Sequence, residues 1–238
     1  MFSRKLTLQM KLMILFVVIP FYFFCGSLIV SAMLKFVVIE FGVIMDENMA
    51  TALLNVMLDS VLVVISVLIF KDTLKQQLKD FINDLNKNLI YAFIKGPIIV
   101  YLCSLVGGLL SVALEGGTAS ENQVLLEGLI SNHLILMFAA SVILAPIFEE
   151  LLFRGAIFGW LYEVHPLVAH VLSGFIFGFV HVMNAVFSGN VGEIIQVFGY
   201  FFMGMGLSFL YEKTDNIYVP IITHAINNLI AVLLVVMI

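Results

Sequence analysis

The sequence has few charged residues. Only 11% of its 238 residues are Asp, Glu, Lys or Arg, whereas 62% are apolar. About a quarter of the residues of a soluble domain are charged, so this chain lacks the polar surface that a water-facing globule needs. The shortage of charge excludes a cytosolic enzyme. The net charge of −5 also excludes the basic surface with which proteins bind nucleic acid.

Cysteine is equally scarce. The two cysteines, Cys25 and Cys103, both lie in apolar runs, so a disulfide scaffold is excluded and neither thiol is expected to bind metal. Long apolar runs are what the chain has in abundance. Backbone amides inside hydrocarbon must hydrogen-bond within their own segment, so each long run is predicted to form a helix.

Seven apolar runs are long enough to cross a membrane, which takes about 20 residues. They cover about residues 12–36, 51–70, 89–113, 130–162, 166–187, 194–211 and 217–238. The fourth run contains Pro146, so it is either one kinked helix or two shorter ones. We therefore predict an all-α, polytopic membrane bundle of seven to eight transmembrane helices.

Lysine and arginine predict the orientation of these helices. Arg4, Lys5 and Lys11 precede the first span, and Lys71, Lys75, Lys79 and Lys87 follow the second. The loops at 37–50 and 114–132 carry acidic residues and no lysine, with Lys35 as the one exception beside them. The positive-inside rule thus predicts a multi-pass cell-membrane protein with a cytoplasmic N-terminus and an external C-terminus. Residues 71–88 read either as an amphipathic helix on the inner leaflet or as an extension of the second span.

Polar residues concentrate in the second half of the chain. Ionisable residues inside a membrane are costly, so each one is a candidate functional residue. The fourth span contains Glu149, Glu150 and Arg154, and His181 lies in the fifth. Glu150 and Arg154 are four residues apart and are expected to pair on one helix face. Glu149 is rotated by about 100° from Glu150, so Arg154 cannot neutralise both carboxylates and one stays available for chemistry.

Two other features have structural explanations. Gly174 and Gly178 form a small-xxx-small ridge that predicts close helix packing, which would bring His181 near a neighbouring helix. Asp59 in the second span and Lys95 in the third would pair if the long lysine stem reaches inward, and such a pair is assigned first to a structural role.

Three motifs together resemble those of the CPBP intramembrane proteases. They are Glu-Glu-x-x-Phe-Arg at 149–154, Phe-x-x-x-His at 177–181 and His-x-x-x-Asn at 224–228. The family is also called the CAAX-protease or Abi family, and it includes type II prenyl-protein endopeptidases and bacteriocin self-immunity proteins. The resemblance divides the chain into N-terminal transmembrane helices at 1–115, with the segment 71–88, and a protease core at 130–238.

The resemblance implies an intramembrane endopeptidase. Its substrate would be a peptide or protein at the membrane, with or without a lipid modification, cleaved near the cytoplasmic face. Glu149 would activate the attacking water together with His181, and Glu150 with Arg154 would shape the site. A carboxylate in low dielectric is a stronger base, provided that a neighbour keeps it ionised.

His224 and Asn228 are implied to stabilise the oxyanion of the tetrahedral intermediate, a role worth most where water is excluded. Zinc is the mechanistic alternative, held by Glu149, Glu150, His181 and His224. The sequence lacks His-Glu-x-x-His, and four protein ligands would leave no position for water on a tetrahedral ion. A glutamate-type mechanism without a cofactor is therefore favoured.

Two other function classes fit parts of the sequence. The same fold could serve as a non-proteolytic membrane scaffold or regulator, as in bacteriocin immunity. A small transporter would also use charges inside the membrane, but the chain shows no inverted halves and no paired broken helices.

Overall fold

The computed structural model of the chain describes residues 6–115 and 119–237. Arg4 and Lys5, on which part of the predicted orientation rests, lie outside the described residues. Within those two ranges all regular elements are helical, and seven helices are long and apolar enough to cross a membrane. The predicted polytopic all-α bundle is confirmed, and the described residues form seven spans.

We number the helices in chain order. They are α1 Leu8–Phe41, α2 Glu47–Asn83, α3 Leu85–Leu114, α4 Glu121–Asn132, α5 Leu134–Tyr162, α6 Pro166–Phe187, α7 Val191–Thr214 and α8 Tyr218–Met237. All of them except α4 are candidate membrane spans. The predicted division into residues 1–115 and 130–238 stays a prediction.

Two segments between the predicted spans are helical. Residues 71–83 continue α2, and α3 begins at Leu85. Of the two alternatives for residues 71–88, the extension of the second span is therefore correct for most of the segment. The predicted loop 114–132 contains α4, which sequence analysis missed. The Ser120 side chain caps this helix by accepting a hydrogen bond from the Gln123 amide at 3.2 Å.

The fourth predicted span is the single helix α5, although Pro146 lies inside it. Wide π-helical turns run over Phe138–Leu144 and Leu151–Phe158, and an α-helical turn over Ala145–Glu150 lies between them. Pro146 stands at the start of this α-helical turn, where a missing N–H is tolerated. Isolated π-helical turns are frequent at functional sites, and here they flank Glu149 and Glu150.

Helices α6 and α7 are in backbone contact. A Cβ atom added to Gly178 would lie 2.8 Å from the carbonyl oxygen of Val197 and 2.9 Å from the amide nitrogen of Phe201. Gly174 approaches the Phe201 carbonyl in the same way, at 3.1 Å. The predicted close packing along the glycine ridge is therefore confirmed.

The two ends of the bundle differ in charge and in packing. We call the end with the turns at 84, 163–165 and 215–217 the lysine end, and the end with the turns at 42–46, 119–120 and 188–190 the acidic end. At the lysine end Asn216 donates to the backbone carbonyl of Gln77 at 2.7 Å, and the Tyr218 hydroxyl donates to the Leu74 carbonyl at 3.2 Å. The Ile217 amide also donates to the buried Gln77 side chain. These contacts between α2 and the α7–α8 turn seal the lysine end.

Candidate active site

A cavity of about 450 Å³ lies among the helices. Its inner wall carries Glu149, His181 and His224, and Asn228 lines it one turn farther along α8. From there the cavity extends to α4 and to the exposed Asn184 at the acidic end. Toward the lysine end it stops at Glu149, because Leu151–Ala156 of α5 are all buried. Among the described residues, the lining of the cavity therefore reaches the acidic end and does not continue past Glu149 toward the lysine end.

The second glutamate of the motif lies behind this wall. Glu150 and Arg154 are both 0% exposed and form an ion pair, with Nη1 3.0 Å from Oε1. Arg154 Nη2 donates to the carbonyl of Gly204 on α7 at 3.0 Å, and the guanidinium lies 4.5 Å from the ring centroid of Phe177 on α6. The predicted pair is thus present, and it joins α5 to two neighbouring helices.

His224 links the two glutamates. Its Nδ1 atom lies 2.8 Å from Glu150 Oε1, and its Nε2 atom lies 3.8 Å from Glu149 Oε2. Because a carboxylate only accepts, Nδ1 of His224 carries a proton. His224 is six residues into α8 and still reaches the glutamates, because α8 starts inside the bundle at the Gln77 contacts.

Glu149 has a different environment from Glu150. Its side chain is 15% exposed and faces the cavity. Within the described residues the Oε2 atoms of both glutamates are buried without a hydrogen-bond partner, so the two differ in exposure and in the pairing of Glu150 Oε1 with Arg154. Since Arg154 is committed to Glu150, Glu149 is the carboxylate that remains available for water or substrate.

His181 is held in one orientation. Its Nδ1 atom lies 2.8 Å from the carbonyl oxygen of Phe177, one turn earlier on α6. The imidazole is stacked on the ring of Tyr200, with centroids 4.4 Å apart and planes 18° apart. A carbonyl accepts, so Nδ1 is the protonated nitrogen and Nε2 keeps its lone pair. The contact with Tyr200 of α7 is the helix proximity that the glycine ridge predicted.

Asn228 is fixed by the opposite wall. Its Nδ2 atom donates to the Ser141 carbonyl of α5 at 2.7 Å. One N–H of the amide is used by this bond and the second remains. Asn228 therefore brings an N–H donor to the cavity. His224 lines the same cavity one turn earlier on α8, and its Nε2 atom donates when both ring nitrogens are protonated.

The predicted zinc ligands do not form a metal site in this arrangement. Glu150 Oε1 is already bonded to Arg154 and His224. Across the described part of the chain no group of three or more His, Cys, Asp and Glu side chains is placed to hold a metal ion. The donor set that sequence analysis named for zinc does not fit the ion here.

Sequence analysis missed the cavity residues of the first half of the chain. Tyr22 from α1, and Asn55 and Asp59 from α2, line the cavity together with Glu149. The predicted Asp59–Lys95 ion pair is wrong, since Lys95 Nζ lies over the ring of Tyr91, 4.8 Å from its centroid. The signal that pointed to Asp59 was its charge inside an apolar span.

Comparisons with known proteins agree on one family. Residues 131–230 match the family described as type II CAAX prenyl endopeptidase Rce1-like. The chain is also 30% identical over 194 residues to "Putative membrane peptidase YdiL" of Bacillus subtilis (strain 168). That similarity covers 79% of this chain and 75% of the relative, so it includes part of the first half. No solved structure matches the chain.

Proposed function

This chain belongs to the family of Rce1-like type II CAAX prenyl endopeptidases, and from that membership we propose that it hydrolyses peptide bonds inside the membrane with Glu149 as the general base. The observation that carries the proposal is the unequal treatment of the two glutamates. Glu150 is paired with Arg154 behind the cavity wall, whereas Glu149 faces the cavity, with His224 Nε2 3.8 Å from its Oε2 atom.

Water activation is the first step. Glu149 takes a proton from a water molecule as the oxygen attacks the carbonyl carbon of the scissile bond. The second O–H of that water donates a hydrogen bond to His181 Nε2, and this bond orients the water for attack. The Phe177 carbonyl supports this role by keeping Nδ1 protonated. Glu149 then passes its proton to the amine that leaves, so that protons balance and the base is regenerated.

Stabilisation of the oxyanion is the second requirement. Asn228 has an N–H that the Ser141 contact leaves available, and His224 donates from Nε2 when the ring is protonated. Glu150 favours this protonated state because its Oε1 atom lies 2.8 Å from His224 Nδ1. Donors that are fixed before the reaction add most in a site that excludes bulk water.

The glutamate-type mechanism is part of this proposal. To bind zinc, Glu150 would have to leave Arg154, and the buried guanidinium would then have no counter-charge in an apolar environment. An uncompensated ion of this kind costs about 3–5 kcal/mol. This commitment of Glu150 supports a role in holding Arg154 and His224 in place.

The decisive experiment uses the purified full chain in lipid nanodiscs and a library of peptides. Glu149→Gln keeps the size of the side chain and removes the base, so cleavage should fall by about 10²–10⁴-fold. His181→Ala should cause a loss of similar order. Asp72→Asn is the matched control, because Asp72 is exposed on α2 outside the cavity. Full cleavage by Glu149→Gln would contradict the proposal, and full cellular function of that variant would favour the scaffold alternative.

A further inference from the structure

Asp59 is a carboxylate of the cavity that the proposed mechanism does not use. It lies on α2, at about 18 Å from the acidic end of that helix, and Glu149 lies at about 22 Å from the same end of α5. Both residues line the same cavity. Asp59 therefore stands beside the reacting groups, at nearly the same depth in the membrane.

Within the described residues this carboxylate has no cation. The cavity lining contains no lysine and no arginine. Arg154 is buried behind Glu150, and Lys95 lies over Tyr91. A positive charge close to a carboxylate favours its ionised form, and their attraction is stronger in a low dielectric than in water.

Aromatic rings and neutral amides complete the surroundings of Asp59. Tyr22 and Phe23 from α1 line the same part of the cavity, with ring centroids 4.8 Å apart. Asn55 lies one turn before Asp59 on α2 and also lines the cavity. Aromatic faces attract ammonium and guanidinium groups, and amides hydrogen-bond to them without adding competing charge.

We propose that Asp59 is the specificity residue of a subsite that binds a cationic group of the substrate, a lysine or arginine side chain or an amino terminus. The proposal rests on the proposed function, since the same cavity holds the scissile bond. The substrate is then a peptide with a basic residue at a fixed distance from the cleaved bond.

Cleavage specificity tests this subsite. The peptide library should show enrichment of Lys or Arg at one position near the cleaved bond, and Asp59→Asn should abolish that enrichment. For a matched peptide pair with Lys or Gln at that position, Asp59→Asn should raise KM for the Lys peptide about tenfold, the equivalent of losing one charge-assisted hydrogen bond. The KM of the Gln peptide, which has no cationic side chain to lose a partner, should change less than that of the Lys peptide. Asp72→Asn, the same substitution on an exposed part of α2, should keep the enrichment.

A binding measurement separates this proposal from the proposed function. The His181→Ala protein, which should not cleave, is titrated with the fluorescent Lys and Gln peptides. Tighter binding of the Lys peptide that is lost on adding Asp59→Asn supports the subsite even if the wild type cleaves nothing. Equal binding of the two peptides, or cleavage without basic preference, would overturn the subsite and leave the protease proposal standing.

Discussion

The Nδ1 atom of His224 lies 2.8 Å from Oε1 of Glu150, although the two residues are 74 positions apart. The same oxygen accepts from Arg154 at 3.0 Å. One buried carboxylate oxygen therefore holds the guanidinium of α5 and the imidazole of α8 in fixed positions. This contact joins the two motifs that supply the proposed base and the proposed oxyanion donor.

Removing one partner of the buried ion pair should destabilise the protein. Arg154→Met leaves Glu150 buried without a cation, and the expected loss is about 3–5 kcal/mol of unfolding free energy. The comparison is Lys11→Met, which breaks the more exposed ion pair with Glu163 at 2.7 Å and should cost about 1 kcal/mol or less. Thermal unfolding in detergent measures the stability loss of both variants. Equal shifts for the two variants would contradict the structural role of Arg154.

Tyr200 should act on His181 through its ring and on α4 through its hydroxyl. The hydroxyl lies 3.1 Å from Ser120 Oγ and accepts from Asn122 at 3.2 Å, whereas the ring stacks on His181. Tyr200→Phe keeps the stacking and should leave kcat within about twofold of wild type, since ring pairs contribute about 0.5–1.5 kcal/mol. Tyr200→Ala should lower kcat by about two- to tenfold on the same scale. Steady-state kinetics with one peptide compare the two variants. Equal kcat values for both would argue against a contribution from the stacking of Tyr200 on His181.

Two adjacent glycines of α3 should respond differently to alanine. A Cβ on Gly107 would overlap the Phe198 carbonyl of α7, whereas a Cβ on Gly108 would meet no atom within 4 Å. Gly107→Ala should therefore destabilise the protein by about 1–3 kcal/mol. Gly108→Ala should be neutral or stabilising by up to about 1 kcal/mol, because alanine is the better helix former. Thermal unfolding of the Gly107→Ala and Gly108→Ala variants tests the packing of α3 on α7. A similar loss of stability in both variants would contradict that packing.

Peptide cleavage should not depend on a chelator. In the proposed mechanism Glu150 holds Arg154 and His224, so treatment with a zinc chelator should leave kcat/KM unchanged. The assay compares chelated protein with chelated protein that is then supplied with Zn²⁺. Activity that is lost on chelation and restored by Zn²⁺ would contradict the glutamate-type mechanism.

Acid should loosen the start of α2. The Met49 amide donates to Asp46 Oδ1 at 2.8 Å, and this hydrogen bond lowers the pKa of Asp46. A lowered folded-state pKa means that the stabilisation is complete above the ordinary pKa of aspartate and is lost as the pH falls through the lowered value. Hydrogen exchange of the Ala50 amide, which bonds to the Asp46 carbonyl, should therefore speed up only in strong acid. Asp46→Asn retains a capping side chain and should abolish this pH dependence.

Local spacing predicted the parts of the site that lie on one helix. The apolar runs marked the spans because helices must satisfy their own backbone in hydrocarbon. The Glu150–Arg154 pair followed from the four-residue spacing on α5, and the glycine ridge of α6 predicted the approach of α7. Each of these depends on residues within a few turns of one another.

Contacts between distant helices were beyond the same reasoning. Asp59 was paired with Lys95 because both are charged residues within apolar spans, yet Asp59 lines the cavity. The helix α4 was taken for a loop, since its apolar residues are too few to mark a span. The π-helical turns of α5 left no trace in its composition, because they depend on how neighbours pack around Pro146.

The sealed lysine end has an electrical consequence. Between Glu150 and Tyr162, α5 forms about 18 Å of helix, whereas the cavity extends from the acidic end to Glu149. In the proposed mechanism water enters this cavity, so the transmembrane voltage, worth about 2.3 kcal/mol per elementary charge per 100 mV, is expected to fall mainly across the packed half. Glu149 would then stay close to the potential of the solution in the cavity. Proton exchange between this carboxylate and that solution would do no work against the field, and the proposed hydrolysis is expected to run equally well in polarised and depolarised membranes.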